Sequence, residues 1–394
     1  MHKSLIGQRL IGQRLTGKRP TGKRLTGKRL IVLFSGLVAA YAWSIEPETV
    51  GTSTLAPPGE TWVMARDGLG SMYIFDTASG EMQGLLGVSR FTPAVEINLE
   101  AQEMYAAESF YSRSTRGTRT DVLTIYDTLT LSPKAEIALP AKIAALPFRR
   151  YIALLDDDRH VAIFNMTPAQ SVSIVDLASR RFVTELSTPG CALTMPSKAR
   201  SFLQLCGDGR LQLIRLDEQG SETARERSRE FFDIEEDPVF DKPVPTRTGW
   251  LLMSYGGQLF EVEVENDDIE VSKAWTFIEQ AEDAGPWRPG GGQFITYHMD
   301  FDLIFVLMNN DGGYSHDSAG SEVWILNRSR RQLITRLELP EKGTNVFVSQ
   351  NDAPLLTVTG EDQQLHVFDV ATLKQVRTIS QVGIAPGYLQ GVTH

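Results

Sequence analysis

One pattern recurs along this chain and limits what it can fold into: several β-forming residues, an acid or amide, a turn, and another strand. It is read at Asp76 in "MYIFDTASGEMQGLL", Asp127 in "VLTIYDTLTL", Asp176 in "SVSIVDLASRRFVTEL" and Asp217 in "LQLIRLDEQG". A weaker copy lies near Glu265 in "LFEVEVEND"; Asn327 in "EVWILNRSRRQLITRL" and Asp369 in "LHVFDVATLKQVRTI" complete the set. Successive anchors are 51, 49, 41, 48, 62 and 42 residues apart. A repeat of about 40–50 residues made of four short strands is a propeller blade. The sequence therefore predicts an all-β, seven-bladed β-propeller over residues 61–394, with 43–60 as a linker. The anchors themselves read as turn formers, because a short oxygen-bearing side chain at a strand end accepts hydrogen bonds from the next backbone N–H groups. No long stretch has a helical period; "WTFIEQAEDAG", Trp275 to Gly285, is the one short helix expected.

The N-terminus has a different character. Five tandem pentapeptides, Leu5 to Arg29, carry Lys or Arg in every copy and no acid. The apolar stretch "LIVLFSGLVAAYA", Leu30 to Ala42, follows and ends in Ala40-Tyr41-Ala42. A basic region, a short apolar core and a small-x-small site make residues 1–42 a signal peptide, with an uncleaved anchor as the alternative. The apolar run is shorter than the roughly 20 residues that a membrane-spanning helix needs. The signal implies a periplasmic protein. Its removal takes nine of the 39 Lys and Arg and none of the 49 Asp and Glu, which moves the net charge from −10 to −19. Such an acidic body repels phosphate backbones, so nucleic acid is not an expected partner, nor is a membrane beyond the export signal.

The only two cysteines, Cys191 and Cys206, flank a turn in "GCALTMPSKARSFLQLCGDGR". An exported chain meets oxidising conditions, so a disulfide across this hairpin is expected, against the alternative of two buried thiols. Two cysteines alone do not make a zinc site. The six histidines are scattered, and no nucleophile elbow, phosphate loop or zinc-protease motif appears. No catalytic residue and no metal site are therefore assigned. "NNDGGYSHDSAG", Asn309 to Gly320, is rich in oxygen ligands but lacks calcium-loop spacing. "EFFDIEEDPVFD", Glu230 to Asp241, reads as a solvated loop or a docking surface. Arg113, Arg116 and Arg119 in "SFYSRSTRGTRTD" either form a local basic contact patch or pair with nearby acids. The tryptophans read as core.

Five collinear stretches together resemble one family. They are "FYSRSTRGTRTDVLTIYDTLTL", "FNMTPAQSVSIVDL", the paired cysteines of "PGCAL" and "LCGDGRL", "GPWRPGGGQFITYH" and "VSQNDAPLLTV". This set resembles the heavy subunit of quinoprotein amine dehydrogenases, the methylamine and aromatic (aralkyl) amine dehydrogenases. The resemblance implies a seven-bladed propeller with no cofactor of its own. It implies a small cysteine-rich light subunit carrying tryptophan tryptophylquinone, an assembly of two heavy and two light chains, and a small periplasmic copper protein as electron acceptor. The family reaction converts primary amines to aldehydes and ammonia. In the family, the loop between the first two strands carries an aromatic residue at the substrate entrance. Here that loop is "RDGLGS", Arg66 to Ser71, and Leu69 is its bulkiest residue; Phe91 of "SRFTP" belongs to the same expected mouth. Arg113, Arg116 and Trp287 are the expected partner or fold contacts. Two other classes stay open: an exported binding propeller without a dehydrogenase partner, and a free-standing lactonase-like propeller enzyme.

Overall fold

The structure, a computed structural model, describes residues 54–393 except 267, 284 and 314. The expected signal peptide and most of the linker lie outside the described residues. Every sheet is antiparallel and built mostly from strands consecutive in the chain, as short turns favour.

The first sheet holds β1 (Trp62–Arg66), β2 (Ser71–Asp76) and β3 (Met82–Gly87); the second holds β4 (Val95–Asn98), β5 (Glu103–Arg113), β6 (Arg116–Asp127) and β7 (Pro133–Leu139). The third comprises β8 (Ile152–Leu154), β9 (His160–Asn165), β10 (Ser171–Asp176) and β11 (Arg181–Ser187). The fourth comprises β12 (Cys191–Ser197), β13 (Ser201–Cys206), β14 (Leu211–Leu216) and β15 (Glu222–Arg227). The fifth contains β16 (Val244–Pro245), β17 (Gly249–Met253), β18 (Gln258–Glu265), β19 (Asp268–Val271) and β20 (Trp275–Thr276). The last, eight-stranded sheet contains β21 (Arg288–Pro289), β22 (Ile295–His298), β23 (Leu303–Asn309), β24 (Gly320–Asn327), β25 (Gln332–Val348), β26 (Leu355–Gly360), β27 (Leu365–Asp369) and β28 (Lys374–Ile379). The final strand, β29 (Tyr388–Gly391), returns to the first sheet and pairs with β1, placing Tyr388 opposite Arg66 and Gly391 opposite Val63.

The propeller class is observed, but seven separate blades are not. Five four- or five-stranded blades stand apart, and the remaining strands form one continuous eight-stranded sheet. The fusion runs through β25, whose first half pairs with β24 and whose second half pairs with β26. Gly343 sits at the hand-over, opposite both Gly320 and Gly360. A Cβ there would stand 2.6 Å from Val358 Cγ1 and 3.1 Å from Leu307 Cδ1, so the missing side chain lets the strand pass between both neighbours. The strand runs on through "LPEKGTN", with a register shift against β24 between Glu338 and Gly343.

Burial follows the position of each strand in its sheet. β9 and β10 are buried along their whole length, because neighbouring sheets cover both faces. The last strands, such as β15 "ETARER" and β28 "KQVRTI", are mostly exposed and charged, which blunts an open sheet edge. Six of the seven anchors do the local work read from the sequence. Asp76, Asp127, Asp176, Asp217, Asn327 and Asp369 each accept hydrogen bonds from backbone N–H groups two to four residues on. Glu265 is exposed, and its turn instead places Asn266 at φ 47°. The expected helix at Trp275 is replaced by β20 and a single 3-10 turn, Ile278–Gln280. Trp275 and Phe277 are buried there, so tertiary packing overrides any helical tendency.

Candidate functional site

The expected entrance loop is a tight turn built on Asp67. Its Oδ1 accepts hydrogen bonds from the N–H groups of Leu69 (2.9 Å) and Ser71 (2.8 Å). This holds the Leu69 side chain outward, 57% exposed. The buried Arg66 guanidinium lies behind the turn and donates to the carbonyls of Asp67, Arg90 and Thr92 at 2.9–3.1 Å. Arg66 thus ties the Leu69 loop to the loop that carries Phe91. Contact between the two loops is close: a Cβ on Gly70 (φ 98°) would stand 2.6 Å from Arg90 Cα. Phe91 is half-buried, edge-on to Tyr111 at 5.2 Å, with the Arg90 guanidinium 5.6 Å above its ring.

Tyr111 belongs to the β5–β6 hairpin, which outruns its neighbours. β4 stops pairing at Ala106 and β7 at Asp121, yet the ladder between β5 and β6 continues to Arg113 opposite Arg116. Phe110, 44% exposed, and both arginines lie on the projecting part. The three arginines of this segment separate in role. Arg119 pairs with Asp121 at 2.7 Å and also donates to the Ile143 carbonyl. Arg113 and Arg116 make no ion pair among the described residues. Leu69, Phe91 and the hairpin tip therefore gather on linked loops. Trp287 lies elsewhere: it is buried 5.5 Å from Trp324, with the Arg336 guanidinium 4.8 Å from its ring. Its visible contacts are those of the fold.

Cys191 and Cys206 are directly opposite on β12 and β13 and form a disulfide. Both are buried at the open end of their hairpin, so the bond closes what the Lys198–Arg200 turn leaves open. The loop Asn309–Gly320 is organised by Asn309, whose side chain donates to the Ser315 carbonyl and accepts from the Asp311 N–H. Among the described residues no group of His, Cys, Asp and Glu could hold a metal ion. In the acidic stretch, Asp237 accepts hydrogen bonds from Ser254, Gly256 and Gln258, which makes it a loop brace.

Sequence reasoning passed over a second polar centre, between the inner edges of the sheets. A cavity of about 150 Å³ is walled by Phe148, Pro243, Ile295, Phe347 and Tyr388, with Arg149 and Arg150 at its side. The Arg150 guanidinium pairs with Glu96 at 3.4 Å and lies 4.9 Å from the Trp250 ring. Burial pulls its pKa down to about 10; neighbouring Arg149 acts in the same direction and Glu96 opposes. Burial likewise pushes the Glu96 carboxyl up, against the two arginines. The only sequence signal was "FRRY", Phe148 to Tyr151, two adjacent cations directly before an apolar strand.

The sequence profile of the methylamine dehydrogenase heavy chain family matches residues 67–392. The methylamine dehydrogenase heavy chain of Paracoccus versutus is 28% identical over 319 residues, 80% of this chain and 74% of that protein. That of Methylophilus methylotrophus is 27% identical over 323 residues, 81% of this chain and 79% of its own. Among solved structures, a functionally unknown protein from Desulfotomaculum acetoxidans superposes with a TM-score of 0.58 at 12% identity, covering 84% of this chain and 98% of that one. A β-propeller domain from Myceliophteria thermophila gives 0.53 at 12% identity, covering 81% and 96%. These structural likenesses speak for the fold alone.

Proposed function

Because this chain belongs to the methylamine dehydrogenase heavy chain family, a family of amine dehydrogenase subunits, we infer that it is the cofactor-free heavy subunit of a periplasmic enzyme oxidising primary amines to aldehydes and ammonia. The observation that carries this reading is the family match across residues 67–392, which spans nearly the whole described propeller. A light subunit would carry tryptophan tryptophylquinone, in an assembly of two heavy and two light chains. That group, when bound, takes up the two electrons of the amine and hands them on to a small copper protein.

The residues of this chain support a division of labour. Trp62, Trp250, Trp275, Trp287 and Trp324 are all at most 8% exposed, so an amine in solution has no access to them. Trp324 and Trp287 direct their indole N–H groups to Glu322 and Asp283, as packed core tryptophans do. What this chain offers is a rigid rim. Leu69 projects from a turn locked by Asp67, and Phe91 stands on a loop fixed by Arg66. Laid over a partner's active centre, such a rim shapes the amine entrance and excludes bulk water, which strengthens the electrostatics of proton abstraction. The projecting tip with Arg113 and Arg116 is the surface offered to the light subunit.

The test is purification from the native host, or co-expression with the light chain and the machinery that builds the quinone. The complex should be coloured and should reduce a dye when given a primary amine. The heavy chain alone should absorb only as ordinary protein. Turnover by the isolated heavy chain would overturn the division of labour. In the complex, Leu69→Phe should change relative kcat/KM among amines while leaving the melting temperature of the heavy chain unchanged.

A further inference from the structure

The axial cavity has a charge imbalance that the amine dehydrogenase reading does not use. Glu96 is committed to Arg150. Arg149, on the 3-10 turn Arg149–Tyr151 that leads into β8, is half-buried and makes no hydrogen bond or ion pair among the described residues, and its Nε is out of contact with water. Burial accordingly depresses its pKa, against the opposing pull of Glu96 and Tyr388. Tyr388 is 4% exposed; its hydroxyl lies near the Val95 N–H but forms no hydrogen bond of standard geometry. A cation without an ion-pair partner and a phenolic donor without a hydrogen bond therefore border the same cavity. The Arg149 Nε and the Tyr388 hydroxyl are shut off from water without a partner, which is unfavourable, and a bound anion would satisfy both.

The rest of the cavity narrows the ligand. Phe148, Ile295 and Phe347 present apolar surface, prolines close one side, and the Asp241 and Lys242 charges on the wall are spent on each other at 2.6 Å. The volume, about 150 Å³, is comparable to a cavity that accepts one benzene ring. Arg149 suits a planar carboxylate because the guanidinium offers parallel donors. We propose that the axial cavity binds a small organic carboxylate with an aromatic or similarly compact apolar body. Its carboxylate is held by Arg149 and Tyr388, and its body lies against Phe148 and Phe347. Arg150 is a positioning residue, since its own charge is spent on Glu96 and the Trp250 face. All the residues of the site come from this chain, and none of Leu69, Phe91, Arg113 and Arg116 lines it.

The experiment uses the purified full-length mature chain and three probes: benzoate, its neutral isostere benzamide, and chloride at matched ionic strength. Calorimetric titration and thermal unfolding are read together, because a ligand selective for the native state raises Tm in a concentration-dependent way. Benzoate should bind and raise Tm, whereas benzamide and chloride should not. Arg149→Met keeps the stem and removes the charge; it should weaken benzoate by about 10-fold or more, as loss of a charge-assisted hydrogen bond does. Tyr388→Phe, which removes one oxygen from a packed ring, should weaken it less and keeps the test open if the arginine variant fails to fold. Equal responses to benzoate and benzamide, an equal response to chloride, no benzoate binding, or undiminished affinity in both variants would each overturn the proposal.

Discussion

Two hairpins of this propeller show opposite uses of the same element. The β12–β13 hairpin is closed at one end by a turn and at the other by Cys191–Cys206, and most of it is buried. The β5–β6 hairpin is buried only over its base; beyond Ser109 it leaves the sheet and carries Phe110, Arg113 and Arg116 into solvent. The first spends its side chains on the fold. The second keeps a segment whose side chains the fold does not require, which is the condition for a surface that meets a partner. Where neighbouring strands stop decides which kind of hairpin results.

The largest effect should come from opening the tethered hairpin. Cys191→Ser or Cys206→Ser releases a cross-link spanning 15 residues and should cost about 2–5 kcal/mol. Denaturant unfolding of the variant should match that of the reduced wild type; equal stability of oxidised and reduced protein would remove the contrast.

Next comes the base of the projecting hairpin. The side chain of Asp121 is fully buried and accepts from Arg119 and from the Ile143 N–H. Asp121→Ala should cost about 1.5–3 kcal/mol, the range for hydrogen bonds to a charged group. An effect near zero in urea unfolding would mean that the hairpin is free along its whole length.

A smaller effect is expected at the end of β6, where Asp127 caps the turn. The N–H of Thr130, with that of Leu129 and the Thr130 hydroxyl, holds this carboxyl below its ordinary pKa. A carboxyl depressed in the folded state contributes stability above its unfolded pKa, and that contribution is lost as pH falls through the folded value. The loss therefore begins below about pH 4. Unfolding curves of Asp127→Asn and wild type at neutral and acid pH should show a shallower acid-side decline in the variant.

The tip should matter least to stability. Arg113→Glu combined with Arg116→Glu should shift unfolding by no more than about 0.5 kcal/mol, as exposed substitutions usually do. The same double variant should lose co-purification with the light subunit. Retention of the complex would leave the projecting tip without its proposed use.

The sequence alone determined what depends on neighbours along the chain. Asp76, Asp127, Asp176, Asp217, Asn327 and Asp369 were legible as turn formers because each bonds backbone a few residues ahead. Opposed positions on one hairpin likewise announced the Cys191–Cys206 bond, and the strand–turn rhythm announced an all-β propeller. Only the tertiary structure decided how the blades join. β29 closes the ring by pairing with β1 over 300 residues earlier in the sequence, and β25 runs from one set of partners to another through Gly343, so two expected blades share one sheet. The pairing of Arg150 with Glu96, 54 residues away, and the meeting of Arg149 and Tyr388 at one cavity exist only once the inner strands converge. No local pattern records that convergence, because the energy of a buried charge depends on what surrounds it in space.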